Sequence, residues 1–249
     1  MTPMSRVLFG VSVVAFAVIS LMWHESTTWQ LVHPLSPPLA TVVAWCLVIA
    51  QVIGGFSILY PRTARFGSVV IGAVYAVFTL ACIPGIVRAP TTDAQYVNFF
   101  EQFAIVCGAL AVFASVAANA ASLRRLARLG FGLCAISFGI AQIVYLQFTA
   151  SLVPVWLPPN QVFWTNLTTI AFLAAAVAIL INRQAGLALR LMVLMLAVFG
   201  VLVWIPHLVT QPADLSNWSE FAENFMIAGA AWVVADSFPD SRRAARGRA

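Results

Sequence analysis

The sequence predicts an all-α integral membrane protein with eight transmembrane helices, arranged as two parallel repeats of a four-helix bundle. The composition is the first reason, because 62% of the 249 residues are hydrophobic and only 8% are charged. Soluble domains are roughly 45–50% apolar and about 25% charged. The mean hydropathy of +0.95 agrees with a chain that faces lipid rather than water. Inside a bilayer every backbone group must be bonded within its own segment, which predicts helices rather than strands.

The second reason is the number of long apolar runs. The hydrocarbon core is about 30 Å thick, and a helix needs about 20 residues to cross it. Eight runs come close to this length, in two groups of four. The first group is 7–23, 38–59, 66–87 and 97–118, and the second is 129–146, 160–181, 187–209 and 219–238.

The third reason is an internal repeat. Residues that recur at an offset of 122 positions include Pro84 and Pro206, Pro90 and Pro212, and Glu101 and Glu223. The proline pairs 37–38 and 158–159 are offset by 121 positions, so one insertion and one deletion separate the copies. Because four spans return the chain to its starting side, the copies are predicted to be parallel. The predicted units are repeats 1–123 and 124–238 and a basic tail, 239–249.

The arginines predict the orientation. All 13 basic residues are arginines. Twelve of them lie at termini or connections that the predicted spans place on the same side of the membrane, with Arg88 as the exception. By the positive-inside rule both termini are predicted to be cytoplasmic, in a bacterial inner membrane, with the tail near anionic lipid. No arginine run is interleaved with aromatic residues, which argues against nucleic acid as a partner.

No metal site is predicted. Cys46, Cys82, Cys107 and Cys134 each lie inside an apolar run, and no C-x-x-C motif occurs. Metal sites and redox dithiols usually need closely spaced pairs, so buried structural thiols are expected.

The candidate catalytic residues are Glu223, His207 and Asn224, and Glu101 is a candidate ligand-binding residue. A carboxylate within hydrocarbon costs several kcal/mol unless it is paired or protonated. Glu101 and Glu223 occupy matched positions near the predicted outer face, and Glu220, Glu223 and Asn224 share one helix face. One interpretation is an outward-facing polar pocket that holds a proton or a small ligand. The alternative is a structural hydrogen bond that was duplicated with the repeat.

The two copies differ at positions that favour the second as the ligand site. His207 is matched by Gly85, Trp156 by Leu35, and Trp164 by a non-aromatic position. A histidine next to a carboxylate suits a proton relay, and indole groups donate hydrogen bonds. Trp156 and Trp164 are therefore the other candidate ligand-binding residues, and ligand is predicted to bind within 128–237.

The second copy resembles the DoxX-like membrane proteins. The resemblance covers about 128–237, and the most specific segment is Val153-Pro154-Val155-Trp156-Leu157-Pro158. Further matches are 138–140, 163–164, 205–207 and 228–232. The first copy matches less well. The resemblance implies a four-helix unit and a role near quinone or sulfur redox chemistry, since one relative is a subunit of a thiosulfate:quinone oxidoreductase.

Two functions follow as hypotheses. The first is an oxidoreductase component that binds a quinone, as a possible cofactor, or a similar amphipathic molecule near the outer face, with a redox partner protein in the membrane. The second is a non-enzymatic carrier, or a scaffold for a partner subunit. Carriers commonly have broken helices and polar groups at the midplane. The midplane of this chain is almost entirely apolar, which favours the first hypothesis. Whether the chain is an enzyme on its own stays open.

Overall fold

The computed structural model of the chain describes residues 1–23, 32, 35–118 and 120–238. Within these ranges the protein is helical and has no strand. The helices, numbered in chain order, are α1 Pro3–Met22, α2 Pro37–Leu59, α3 Ala64–Arg88, α4 Asp93–Val116, α5 Ala121–Val144, α6 Leu146–Leu152, α7 Gln161–Leu180, α8 Ala185–Thr210 and α9 Leu215–Asp236. All except α6 have 20 or more residues.

Seven of these helices, α1 to α5, α7 and α8, are long and apolar enough to cross a membrane. The prediction of an all-α integral membrane protein is therefore confirmed. The eighth long helix, α9, has 22 residues but carries Glu220, Glu223 and Asp236. It packs against α1, α4 and α8, and most of its second half is buried. Because other helices cover it, α9 needs less apolar surface toward lipid than the rest.

Several helices begin earlier than the apolar runs predict. Helix α4 begins at Asp93 and α9 at Leu215, each four residues before the predicted start. The side chain of Asp214 caps α9 by accepting a hydrogen bond of 2.9 Å from the Ser216 amide. The apolar runs mark only the part of a helix that suits hydrocarbon, so they omit the polar first turn. In consequence, Glu101 and Glu223 lie about two turns from the start of their helices rather than one.

The helices form two rings that share α4 and α9. One ring runs α1, α2, α3, α4, α9, and the other runs α5, α7, α8, α9, α4, each helix packing on the next. The first helix of each half therefore packs against the fourth helix of the other half, α1 on α9 and α5 on α4. The two bundles expected from the sequence share their central helix pair and are interlocked.

Glycines permit the closest helix contacts. A Cβ on Gly108 of α4 would lie 2.7 Å from the Cβ of Ala230 on α9, the residue 122 positions later. A Cβ on Gly229 of α9 would lie 2.6 Å from the Cα of Phe9 on α1. Small residues at such crossings let helix backbones approach within van der Waals contact. Helices α4 and α9 thus cross at a pair of matched positions.

Hydrogen bonds also recur at the repeat offset. The Tyr96 hydroxyl donates to the Pro90 carbonyl at 3.0 Å, and the Trp218 indole donates to the Pro212 carbonyl at 2.9 Å. Both donor and acceptor are displaced by 122 positions between the two bonds. Each bond ties the first turn of a central helix, α4 or α9, to the loop that precedes it.

A π-helical turn at Gly200–Trp204 interrupts α8. Before it, buried residues of α8 such as Ala185 and Met192 lie 121 positions after buried Ala64 and Ile71 of α3. After it, Pro206 lies 122 positions after Pro84. A π turn accommodates one more residue than an α turn. The extra residue that changes the offset from 121 to 122 is therefore absorbed inside the helix.

Candidate functional site

The central helix pair carries a hydrogen bond between the two halves of the chain. The side-chain Nε2 of Gln102 on α4 donates to the Oε1 of Glu223 on α9 at 2.7 Å. Gln102 is only 4% exposed, whereas Glu223 is half-buried. A bond between an amide and a carboxylate is stronger than one between neutral groups. Glu223, predicted as a candidate from the sequence, is thus held by a residue of the first copy.

Two further carboxylates, Glu101 and Glu220, interact electrostatically with Glu223. Glu101 of α4 interacts electrostatically with both Glu223 and Glu220 of α9. In the ranges the structure describes, the one salt bridge joins Arg190 and Asp236, so no arginine there pairs with these three acids. We call Glu101, Gln102, Glu220 and Glu223 the carboxylate cluster. Its acids come from α4 and α9, two helices that pack against each other.

Helix α3 completes the surroundings of the cluster. Tyr75 and Cys82 of α3 both interact electrostatically with Glu223. The Tyr75 hydroxyl donates to the Oε1 of Gln51 at 3.2 Å and also contacts the Sδ of Met226 at 3.1 Å. Tyr75 and Gln51 are fully buried. A polar group buried without partners is costly, and this network partners the groups beside the cluster.

One buried polar atom in the cluster is left without a partner. The Oε1 of Gln102 makes no hydrogen bond within the described part of the chain, although its Nε2 is bonded to Glu223. A buried unsatisfied acceptor costs about 1–3 kcal/mol. An unpaired acceptor on the side chain that binds Glu223 can receive a hydrogen bond from a hydroxyl or amine of a bound molecule.

Asn224 and His207 have other partners. The Asn224 Nδ2 donates to the Leu196 carbonyl on α8 at 2.9 Å, which ties α9 to α8. The His207 Nδ1 lies 2.7 Å from the Val203 carbonyl, one turn earlier in α8. Among the described residues, no hydrogen bond or ring contact joins His207 to Glu223 or Asn224. The catalytic roles proposed for His207 and Asn224 stay predictions.

Of the two predicted tryptophans, Trp164 lies in the first turn of α7 and Trp156 lies in the loop that precedes this helix. Trp164 donates its indole N–H to the Pro158 carbonyl at 2.9 Å, and Trp156 is 68% exposed. Neither has a contact with the carboxylate cluster in the described ranges, and their ligand-binding role also stays a prediction. The predicted basic tail, 239–249, lies outside the described residues.

The sequence analysis missed Gln102, Tyr75 and Cys82 as site residues. A signal for Gln102 is present, because each candidate glutamate is followed directly by a side-chain amide, Gln102 after Glu101 and Asn224 after Glu223. No comparable signal marks Tyr75. Its matched position, 121 residues later, is the apolar Leu196, so comparison of the copies does not single it out.

The described residues contain no group of three or more His, Cys, Asp or Glu side chains that could hold a metal ion. The four cysteines are free thiols. Buried Cys134 of α5 interacts with buried Cys107 of α4. This contact lies where α5 crosses α4, so both thiols contribute to helix packing.

Comparisons of the chain with protein-family models, with curated protein sequences and with solved structures give no match.

Proposed function

We propose that the chain is a DoxX-like membrane protein in which eight helices cross the bacterial inner membrane as two parallel repeats. The shared ring pattern, the matched crossing at Gly108 and Ala230 and the matched loop bonds of Tyr96 and Trp218 support the repeat. The central position of α9 accounts for its acids and supports its assignment as the eighth span. The arginine distribution supports cytoplasmic termini.

Orientation can be tested by cysteine-accessibility labelling of intact cells. Single cysteines at Asp93 and Asp214 should react with an impermeant maleimide, while cysteines at Arg62 and Arg125 should react only after permeabilisation. Labelling of Asp93 and Asp214 from opposite sides would exclude the parallel arrangement.

We further propose that the carboxylate cluster binds the polar head of a small amphipathic molecule, with a quinone or quinol as the first candidate. The observation that carries this proposal is the Gln102–Glu223 bond, which leaves the buried Gln102 Oε1 without a donor. A quinol hydroxyl fits that acceptor. A quinone carbonyl fits a protonated carboxyl of Glu101 or Glu223 as donor.

In this role each residue of the cluster has a different task. Gln102 orients the ring by its free acceptor and fixes the Glu223 side chain with its donor. Glu223 and Glu101 exchange protons with the bound head group, and Tyr75 with Gln51 closes the site toward the core. A quinone, when bound, supplies two-electron chemistry coupled to protons, and the electrons would pass to or from a partner protein.

A binding assay tests the site. Protein purified in nanodiscs is titrated with a soluble short-chain quinol analogue, and long-chain quinones retained from the membrane are measured by mass spectrometry. Gln102→Leu and Glu223→Gln should each weaken binding by about two- to tenfold, because a hydrogen bond between neutral groups contributes about 0.5–1.5 kcal/mol.

Thr169→Val is the matched control. It removes another buried hydrogen bond between helices, the 2.9 Å bond to Gln142 between α5 and α7, and leaves the carboxylate cluster intact. Binding should survive in the control. Equal binding by wild type, Gln102→Leu and Glu223→Gln would exclude the carboxylate cluster as the site.

His207→Ala tests the prediction that ligand binds in the second repeat. A loss of binding equal to that of Glu223→Gln would indicate a site that extends to α8. Unchanged binding together with a loss in Glu101→Gln would place the ligand between α4, α9 and α3.

A carrier is the second candidate function, and the π turn of α8 favours it. This turn at Gly200–Trp204 and Pro206 directly after it interrupt one helix beside α9. Interrupted helices are typical of transporters. Uptake of a labelled quinol analogue into proteoliposomes, without net oxidation, would favour the carrier over the oxidoreductase component.

A further inference from the structure

A second candidate site lies between α7 and α8, on helices that do not form the carboxylate cluster. It is a groove of about 350 Å³ whose wall is made of alanine, leucine and methionine side chains, with Gln184 as its polar end. Ala174 and Leu191 on its rim are exposed, so the groove opens at the surface of the helix assembly. Since α7 and α8 are both long and apolar enough to cross a membrane, this opening faces lipid.

The equivalent helices of the first half explain why the groove exists. Gly54 of α2 and Gly67 of α3 meet there, and a Cβ on Gly67 would lie 2.7 Å from the Gly54 carbonyl oxygen. The positions 121 residues later carry Ala175 and Ala188, which both line the groove. Two methyl groups thus separate α7 from α8 where two glycines let α2 and α3 touch. Ala174 lines the groove, whereas Ile53 holds the matched position in α2.

One end of the groove is polar. It is formed by Gln184, and the neighbouring Arg183 is exposed in the connection between α7 and α8. No acid of the described residues forms an ion pair with Arg183, because the one salt bridge found there joins Arg190 and Asp236. An apolar groove that ends at Gln184, with the exposed Arg183 next to it in the sequence, complements a molecule with an alkyl chain and an anionic head.

We propose that this groove binds one anionic phospholipid, with an acyl chain between α7 and α8 and the phosphate at Arg183 and Gln184. The acyl chain fills the space beside the small alanine side chains. The filled groove therefore has dispersion contacts that an empty groove would lack. The phosphate pairs with Arg183 at the arginine-rich end, where the leaflet carries anionic lipid in the orientation proposed above. The first half, with its helices in contact, holds no equivalent lipid.

Photolabelling tests the lipid site. Protein in nanodiscs receives phosphatidylglycerol with a diazirine on its acyl chain, and labelled peptides are mapped by mass spectrometry. Wild type should be labelled on α7 and α8. Ala174→Phe, which puts a bulky side chain into the open rim, should lower that labelling by about fivefold. Ile53→Phe is the matched control at the equivalent position of α2 and should leave it unchanged.

The head group is tested by competition. Unlabelled phosphatidylglycerol should displace the probe at lower concentration than phosphatidylcholine in wild type, and Arg183→Gln should abolish that preference. Undiminished α7–α8 labelling in Ala174→Phe would overturn the proposal, as would equal competition by the two lipids in wild type. Ala174 is exposed and on the rim, so this variant is expected to fold, which a thermal unfolding measurement checks.

Discussion

Gly108→Ala should weaken both the packing of the central helices and the carboxylate cluster. The added Cβ would lie 2.7 Å from the Cβ and 2.9 Å from the Cα of Ala230, and 3.1 Å from the Cζ of Phe9. Carbon atoms in contact prefer about 3.5–4.0 Å, so α4 and α9 must separate by about 1 Å. The Ala230 Cα belongs to the backbone and cannot rotate away.

The expected magnitude follows from this geometry. Overpacking by one methyl group costs about 1–3 kcal/mol of stability. The Gln102–Glu223 bond lies about two turns along the same helix pair and measures 2.7 Å. If the helices separate by about 1 Å as rigid bodies, this bond exceeds the usual limit of about 3.2 Å. Binding of the quinol analogue should therefore fall together with stability.

The assay is thermal and denaturant unfolding of the purified protein, combined with the analogue titration. The repeat supplies a rescue variant, because Ala230 is the counterpart of Gly108. Ala230→Gly alone should cost about 1 kcal/mol, the helix propensity of glycine relative to alanine. In the double variant Gly108→Ala and Ala230→Gly the single methyl moves to the opposite helix, and about 1 kcal/mol or more should be recovered.

Additive losses in the double variant would refute the reasoning, because they would mean that residues 108 and 230 do not compete for the same space. Wild-type stability of Gly108→Ala would refute it as well. If Gly108→Ala loses stability but binds the analogue as wild type does, the close contact between residues 108 and 230 is supported. Its predicted effect on the carboxylate cluster is then contradicted.

Other changes test individual helix contacts by unfolding in detergent. Arg128→Met should cost about 1–3 kcal/mol, because its guanidinium donates to the carbonyls at the end of α7, including that of Leu180 at 2.9 Å. Asp236→Asn should cost less than about 1 kcal/mol, since its 3.9 Å pair with the half-exposed Arg190 is weak and Asn keeps an acceptor for α1. Trp218→Phe should cost about 0.5–1.5 kcal/mol by removing the bond to the proline carbonyl six residues earlier.

Much of the architecture could be predicted because composition and periodic apolar runs determine the class of a membrane protein. The repeat offset alone also identifies Glu101 and Glu223 as counterparts. The change of offset between 121 and 122 indicates an inserted residue, although the sequence could not tell whether a loop or a helix contained it. The π turn at Gly200–Trp204 places that residue inside α8.

The interlocked packing could not be predicted from the repeat. Matching positions say which residues are equivalent, but not whether α1 packs against α4 of its own half or α9 of the other. That choice depends on close contacts such as Gly229 against the Phe9 backbone, which arise from two segments over 200 residues apart. For the same reason the partner of Glu223 could not be predicted, since Gln102 reaches it only when α4 and α9 are neighbours.

The packing of α4 against α9 is both the centre of the fold and the reason why the acids of the two helices interact. A duplicated helix with an acid two turns from its start would place two isolated carboxylates in lipid if the repeats stood apart, at a cost of several kcal/mol each. Crossing at Gly108 and Ala230 instead lets Gln102 of α4 donate a hydrogen bond to Glu223 of α9, and Glu101 interacts electrostatically with Glu223. From the sequence, a structural hydrogen bond and a ligand pocket are alternative interpretations of these glutamates. The observed arrangement is compatible with both. The donor of Gln102 makes the structural bond, and in the proposed function its unpaired acceptor is the atom that binds the ligand.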